Sequence, residues 1–472
     1  MSLSHARVGA KDPQTTAKDS GGGWRFALRT SGVEPALRLG FWAMDSLLRA
    51  AFGTLAGAFR SAADRQARRL ERSEARLLRL VSQLGILKGV FVKAGQFASL
   101  RLDLLPARAQ AALEALQQSV PPISFPEIRQ QVERQLGGNL DSHFLNFEPI
   151  PLGSASIAQV HRARLLDSTP VAVKVQYPWI AASLRADLVV MRTALLLLAW
   201  VAGRRIPDRR LLFEEFARSL SEELDFEREA RTAERIATNL AGDPTIVVPE
   251  IYPDHTAPGV LTMSYFNTLP LDRNALIEHG VEPRPVVEAL ARAYAKQVFV
   301  DGLFHADPHP GNLFVLDEPD ASQKPRVLFV DFGLSKELDP VLRAAMRKGL
   351  YALIQRDAPA FVGHMEELGM IAPGADDGAL RAVSSMFDRL RNARESNPGT
   401  PALGIDGSQV LGLKDEAKHL LRETPGLQLP TDLLLYAKTL SYLFALAERL
   451  DPDVDVLRIA LPHVLRFLAE KD

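Results

Sequence analysis

The stretch His305-Ala306-Asp307-Pro308-His309-Pro310-Gly311-Asn312, followed nineteen residues after Asn312 by Asp331-Phe332-Gly333, decides how the rest of the chain is read. Transfer of a phosphoryl group needs oxygen ligands for Mg²⁺ and one carboxylate to orient the acceptor. Asp307, Asn312 and Asp331 are of those types. Between the two motifs, Leu313 to Val315 and Val327 to Val330 read as a strand pair that would carry the chain from one to the other. An isolated Asp-Phe-Gly is an ordinary strand-ending turn. Joined at this distance to a loop with an Asp five residues before an Asn, it reads as part of a catalytic apparatus.

Upstream, such an apparatus needs a strand lysine for the nucleotide phosphates and a helical glutamate to hold that lysine. Val171-Ala172-Val173-Lys174 lies in the second strand of an expected hairpin, after Ile157 to Arg164 and a turn at Asp167-Ser168. Glu223-Leu224-Asp225 and Glu229 follow on a helical stretch that runs through Glu234. The six-residue separation of Glu223 and Glu229 predicts that they diverge by more than half a turn and do different work. The segment before Lys174, Pro151-Leu152-Gly153-Ser154-Ala155-Ser156-Ile157, lacks a G-x-G-x-x-G, so its Cβ atoms restrict backbone approach to phosphates.

The 472 residues are 47% hydrophobic and 24% charged, the composition of a folded chain long enough for two or three lobes. A net charge of -1 gives no general field for nucleic acid, and zero cysteines remove thiolate catalysis and Cys-ligated metals. The apolar run from Thr193 to Gly203 is too short to span a bilayer. The polar start, Met1 to Gly23, has no apolar core of a secretory signal, so a cytoplasmic location is expected. Leu37, Phe41, Met44, Leu48, Phe52, Leu55 and Phe59 draw one apolar helical stripe. Residues 1–70 carry eleven Lys/Arg against five Asp/Glu, so this stripe suits either packing on its own domain or peripheral contact with an anionic membrane. Ser73 to Gly137 reads as several helices, with Lys93-Ala94-Gly95-Gln96 set in an apolar pattern. Helices, then a small sheet, then helices from 271–300 and 338–472 predict an α+β chain with segregated lobes.

Lys93-Ala94-Gly95-Gln96, the small-residue loop, Lys174, Glu223-x-Asp225, Glu229, His305 to Asn312 and Asp331-Phe332-Gly333 together resemble the UbiB/AarF (ADCK) family of atypical kinases. The likeness runs over about residues 75 to 465. It implies a protein-kinase-like bilobal fold with an added N-terminal helical subdomain carrying Lys93 and Gln96. The divisions it implies are a leader at 1–36, a helical extension at 37–145, an N-lobe at 146–270 and a helical C-lobe at 271–472. By the same resemblance, Gly153, Ser154, Ala155 and Ser156 would line the nucleotide, with Lys174 on its phosphates and Glu229 as partner of Lys174. Asp307 would be the catalytic-loop carboxylate, Asn312 and Asp331 the Mg²⁺ ligands, and Glu223 and Asp225 would sit opposite Lys93 and Gln96. The implied ligands are ATP and Mg²⁺, and the implied setting is coenzyme Q or other isoprenoid-lipid metabolism, with quinone-pathway proteins as partners. The family's usual Glu and Gly near the adenine are replaced by Ser264 and Thr268, and its usual alanines by Gly153 and Ser154.

Overall fold

The computed structural model describes residues 122–202, 209–317, 324–355, 357–368, 370–371 and 431–470, together with Leu37, Phe41, Val90, Lys93, Arg381, Ser384 and Ser385. The expected leader, Gln96 and most of the 37–145 extension lie outside the described residues. Of the 37–59 stripe only Leu37 and Phe41 are described, both helical and exposed.

The first described helix, α1 (Phe125–Leu136), starts at Ser124, which exchanges a capping box with Glu127. It leads to β1 (Phe144–Phe147), β2 (Gly153–Ser154), β3 (Ala158–Leu165) and β4 (Pro170–Gln176). The β3–β4 turn falls at Asp167-Ser168: Ser168 has φ +72°, and the Asp167 carboxylate accepts the Thr169 N–H at 2.9 Å. Three helices follow, α2 (Ile180–Ala202), α3 (Arg209–Glu223) and α4 (Phe226–Leu240), then β5 (Ile246–Val247) and β6 (Val260–Ser264). Among the described residues the first sheet runs β1-β3-β4-β6, with β2 added to β3.

Period-two alternation along β4 sorts its side chains. Val171, Val173 and Val175 join Ile128 and Val132 of α1 in one core. Lys174 and Gln176 take the opposite face and meet the α3–α4 junction. Helix α4 buries Phe226, Ala230, Ala233, Ile236 and Leu240, a stripe at spacings of three and four. Each large side chain of that kind contributes about 1.5–3 kcal/mol on burial, which fixes the helix rotation and hence the direction of Glu229.

The second half begins with β7 (Thr268–Pro270), α5 (Arg273–Glu278) and α6 (Pro283–Ala295). Helix α6 widens into a π turn over Lys296–Asp301 and stops at Gly302, whose φ of +69° favours glycine. Short strands follow: β8 (Leu303–Phe304), β9 (Leu313–Leu316), β10 (Val327–Phe329) and β11 (Lys336–Glu337). They give a second sheet, β5-β10-β9-β7, and a β8–β11 pair. Helices α7 (Pro340–Gln355), α8 (Ala358–Glu367), α9 (Thr431–Leu450) and α10 (Val456–Ala469) complete the described chain. Leu443, Phe444 and Leu446 of α9 share a core with Leu290 and Tyr294 of α6.

The helices-and-sheet order matches the α+β expectation. Sequence periodicity missed β1, β2, β7, β8 and β11, each two to four residues long; β9 and β10, equally short, were legible as continuous apolar runs between the two motifs. No helix among the described residues is long and apolar enough to cross a membrane.

Candidate active site

Lys174 sits in the middle of the first sheet, paired with Val160 on one side and Leu261 on the other. Its ammonium donates to both oxygens of Glu229 at 2.7 and 2.9 Å and to Asp331 Oδ1 at 2.9 Å. It also lies 5.0 Å from the centre of the Phe226 ring. Burial opposes its charge, but Asp331 and Glu229 together hold it above the ordinary lysine range. Glu229 is 1% exposed, and burial, only partly offset by Lys174, pushes its carboxyl up to about 7. Asp331 also resists burial, yet Lys174 and then Lys93 and His305 keep it well below the usual carboxylate range.

Glu223 and Glu229 do different work, as expected, one pairing with Lys93 and the other with Lys174, but they do not diverge in direction. The helical stretch breaks at Leu224-Asp225, ending α3 and starting α4. That break turns both glutamates toward one point. A Cβ on Gly333 would stand at ordinary contact distance from Asp331 Oδ1 (3.4 Å), Glu229 Oε2 (3.5 Å) and Glu223 Cγ (3.6 Å), so all three acidic side chains gather around this glycine. Glu223 forms an ion pair with Lys93, both side chains being mostly buried. Asp225 takes another part: it is the N-cap of α4, accepting the Arg228 N–H at 2.8 Å, with Arg231 at 3.9 Å. It makes no described contact with Lys93, and Gln96 lies outside the described residues.

His305 anchors the downstream loop. Its Nε2 faces the carbonyls of Val330 and Asp331 at 3.1 and 3.0 Å and must donate there. Its Nδ1 shares a hydrogen bond with the Tyr294 hydroxyl at 3.1 Å, and its backbone N–H donates to Gln297 at 2.9 Å. The ring thus ties α6 and the π turn to the backbone of Asp331, which holds φ at +62°, a conformation open to few non-glycine residues. Sequence reasoning took His305 as part of a motif without seeing this role, and Tyr294 carried no signal.

Asn312 donates to Asp307 Oδ2 at 3.0 Å, closing a loop also held by His309 N–H to Asp307 O and Asn312 N–H to His309 O. The Asn312 carbonyl accepts the Val330 N–H at 2.9 Å, and Leu313 pairs with Phe329, so the hairpin sets Asn312 beside Asp331. With its amide N–H on Asp307, Asn312 keeps its oxygen for other use, and Asp331 keeps Oδ2. Both are hard oxygen donors of the kind Mg²⁺ takes. On the outer edge, Lys438 of α9 approaches Asp307 Oδ1 at 3.8 Å, a contact sequence reading missed entirely.

Gly153 and Ser154 pair with Val160 and Gln159 as β2 instead of forming open loop. The turn beyond them is pinned by Ala155 N–H to Ala158 O, and by the Tyr177 hydroxyl to Ala155 O at 3.0 Å; Ser156 is buried. Of the two positions that the resemblance would put near adenine, Ser264 Oγ accepts the Glu250 N–H at 2.9 Å and Thr268 belongs to β7.

A family model described as the ABC1 atypical kinase-like domain matches residues 115–365. The Synechocystis protein sll0095 is 32% identical over 391 residues, covering 82% of this chain and 66% of that protein. A Marinobacter nauticus protein named probable protein kinase UbiB is 32% identical over 391 residues, covering 81% and 68%. The chain spans just under two thirds of the length of the Synechocystis relatives it matches. Among solved structures, the Rv3197–erythromycin complex from Mycobacterium tuberculosis is 24% identical, covering 83% of this chain and 98% of that one, with a TM-score of 0.47.

Proposed function

This chain belongs to the ABC1 atypical kinase-like family and has its kinase-like fold, and we propose that it is a Mg²⁺-dependent enzyme that transfers the terminal phosphoryl group of ATP. The observation that carries this reading is the convergence of Lys174, Glu229 and Asp331 within 2.9 Å beside the Asn312–Asp307 pair. Lys174 would hold the inner phosphates and Glu229 would hold Lys174. Asn312 and Asp331 would bind Mg²⁺, which neutralises phosphate charge when present. Asp307 would orient the acceptor oxygen. As that oxygen bonds to the γ-phosphorus, the bond to the β,γ-bridging oxygen breaks, ADP leaves and the acceptor proton passes to Asp307.

The acceptor is water or a small hydroxylated molecule in place of a peptide, a reading supported by the family resemblance and by the Lys93–Glu223 ion pair at the cleft. The extension at 37–145, the N-lobe at 146–270 and the C-lobe at 271–472 remain our division of the chain. The family resemblance further supports a setting in isoprenoid-quinone metabolism at a membrane surface. The test is incubation with γ-labelled ATP and a lipid extract, separating inorganic phosphate, phosphoprotein and phosphorylated small molecules. Label should leave ATP only with Mg²⁺ present. Nucleotide at 100 times its dissociation constant should stabilise the protein by about 2.7 kcal/mol, and Asp331→Asn should lose most of that gain. Equal stabilisation with and without Mg²⁺ overturns the metal assignment.

A further inference from the structure

Between Asp307 and Asn312 the loop holds Pro308, His309, Pro310 and Gly311, and neither a lysine nor an arginine. The lysines on the other side of the cleft are already held by carboxylates, Lys174 by Glu229 and Asp331 and Lys93 by Glu223. A phosphoryl group in transfer carries negative charge on its outer oxygens, and a carboxylate beside it raises that charge further. Beside the Mg²⁺ that Asn312 and Asp331 would hold, a cation on the acceptor side would offset that charge.

Helix α9 brings one. Lys438 Nζ lies 3.8 Å from Asp307 Oδ1, the oxygen left over when Asn312 engages Oδ2. It is a long contact. An ammonium has three donors, and this one spends at most one of them on Asp307, with the Tyr442 ring 5.4 Å away. The side chain is 27% exposed and that of Asp307 24%, so both reach an open edge of the site.

The backbone behind Lys438 is fixed. The fully buried Thr439 hydroxyl shares its one proton between Ala306 O at 3.0 Å and Leu435 O of its own helix at 2.9 Å, which sets this turn of α9 against the residue before Asp307. Nearly two turns earlier, Asp432 pairs with Lys336 at 3.3 Å, on the strand that follows Asp-Phe-Gly. Tyr436 packs edge-on against Phe304. A helix held at both motifs presents a flexible cation between them.

We propose that Lys438 is a catalytic residue supplied to the loop by α9: it holds the outer oxygen of Asp307 and turns its remaining N–H groups to the terminal phosphoryl oxygens of the nucleoside triphosphate. Lys438 makes and breaks no bond. This assignment rests on the ATP-dependent reading above, and its test separates the two.

Mg-ATP and Mg-ADP affinities are measured by calorimetry alongside turnover for the parent, Lys438→Ala, Lys438→Arg and Thr439→Val. Lys438→Ala should weaken ATP roughly tenfold, change ADP less than about twofold, and slow turnover about 10- to 100-fold. Lys438→Arg should keep most of the preference for ATP. Thr439→Val, which removes the helix-to-loop hydrogen bond, should lower the melting temperature and leave the ATP-to-ADP ratio intact. An unchanged ratio with unchanged turnover in Lys438→Ala overturns the proposal. So do equal losses for ATP and ADP that Thr439→Val reproduces, since those mark a structural anchor. A parent that binds both nucleotides without turnover overturns the enzymatic reading, while the ratio still decides Lys438. A parent that binds neither overturns both.

Discussion

The two sides of the cleft are built on different terms. Around Lys174, the ammonium and Glu229 are buried and matched at 2.7 Å, and Asp331, whose side chain is 43% exposed, reaches the same ammonium from the cleft at 2.9 Å. Around Asp307, the partners stand at 3.0 and 3.8 Å and about a quarter of each charged side chain is exposed. A buried ion pair costs several kcal/mol when one member is removed, whereas a half-exposed contact costs little. The phosphate side therefore couples folding to function, and the acceptor side serves function with little effect on folding.

The sharpest way to break that contrast is to remove one group from each side. Lys174→Ala leaves Glu229 and Asp331 without their cation, and we expect a loss of about 3–5 kcal/mol together with complete loss of turnover. Asp307→Asn should slow turnover about 10²- to 10⁴-fold while its melting temperature and nucleotide affinity stay near the parent's. Thermal melts with and without Mg-ATP, beside a phosphate-release assay, read both. Equal destabilisation by the two variants would erase the distinction.

A second test uses pH on the phosphate side alone. Burial raises Glu229 from the unfolded value near 4.5 to about 7, so the folded state takes up a proton that the unfolded chain has released. A raised folded value stabilises fully below the unfolded one and loses that contribution as pH rises through about 7. Glu229→Gln cannot titrate. The stability gap between parent and Glu229→Gln should therefore shrink by on the order of 3 kcal/mol between pH 4.5 and pH 7.5. A gap that widens over this window would mean that attraction to Lys174 outweighs burial.

The third, Lys93→Ala, probes the join between the two halves of the buried network. Both partners are 12 to 14% exposed, so the expected loss is about 1–3 kcal/mol for the carboxylate left behind. Nucleotide affinity or the split between hydrolysis and transfer should change with it. A variant matching the parent in stability, affinity and products would return Lys93 to an ordinary surface lysine.

Lys174 and the three residues of the two downstream motifs were legible because their signals are local. Lys174 follows three strand formers, and Asp307, Asn312 and Asp331 fall at fixed spacing around one hairpin. Strand alternation then decides which side chains share a face, so Lys174 had to point away from Val173. What escaped was set by tertiary contact. Lys438 is a lysine on an amphipathic helix, more than a hundred residues after Asp307, and nothing in its neighbours separates it from a solvated one. The break at Leu224-Asp225 was hidden because Glu223 and Glu229 both fit one continuous helix; only packing of Phe226 and Ala230 into the core reveals two. Tyr294 looked like a core aromatic, and its hydroxyl acquires a task only from the position of His305.

The smallest effect expected is at Asp225, where the resemblance and the geometry assign different work. The resemblance groups it with Glu223 as a site carboxylate. In the structure it caps α4 through the Arg228 N–H, and its side chain is 43% exposed. An N-cap of this kind is worth about 0.5–2 kcal/mol, and serine replaces aspartate there at little cost. Asp225→Ala should lower stability by about 1 kcal/mol and soften the entry to the helix that aims Glu229 at Lys174, so turnover should fall a few-fold. Asp225→Ser keeps the cap and removes the charge. If serine restores both melting temperature and turnover, Asp225 acts on the site only by starting the helix. If serine restores the melting temperature but turnover and Mg²⁺ dependence stay impaired, the charge itself serves the nucleotide. The open edge of the cleft would then extend onto the phosphate side, and the contrast drawn here would hold for Lys174, Glu229 and Asp331 alone.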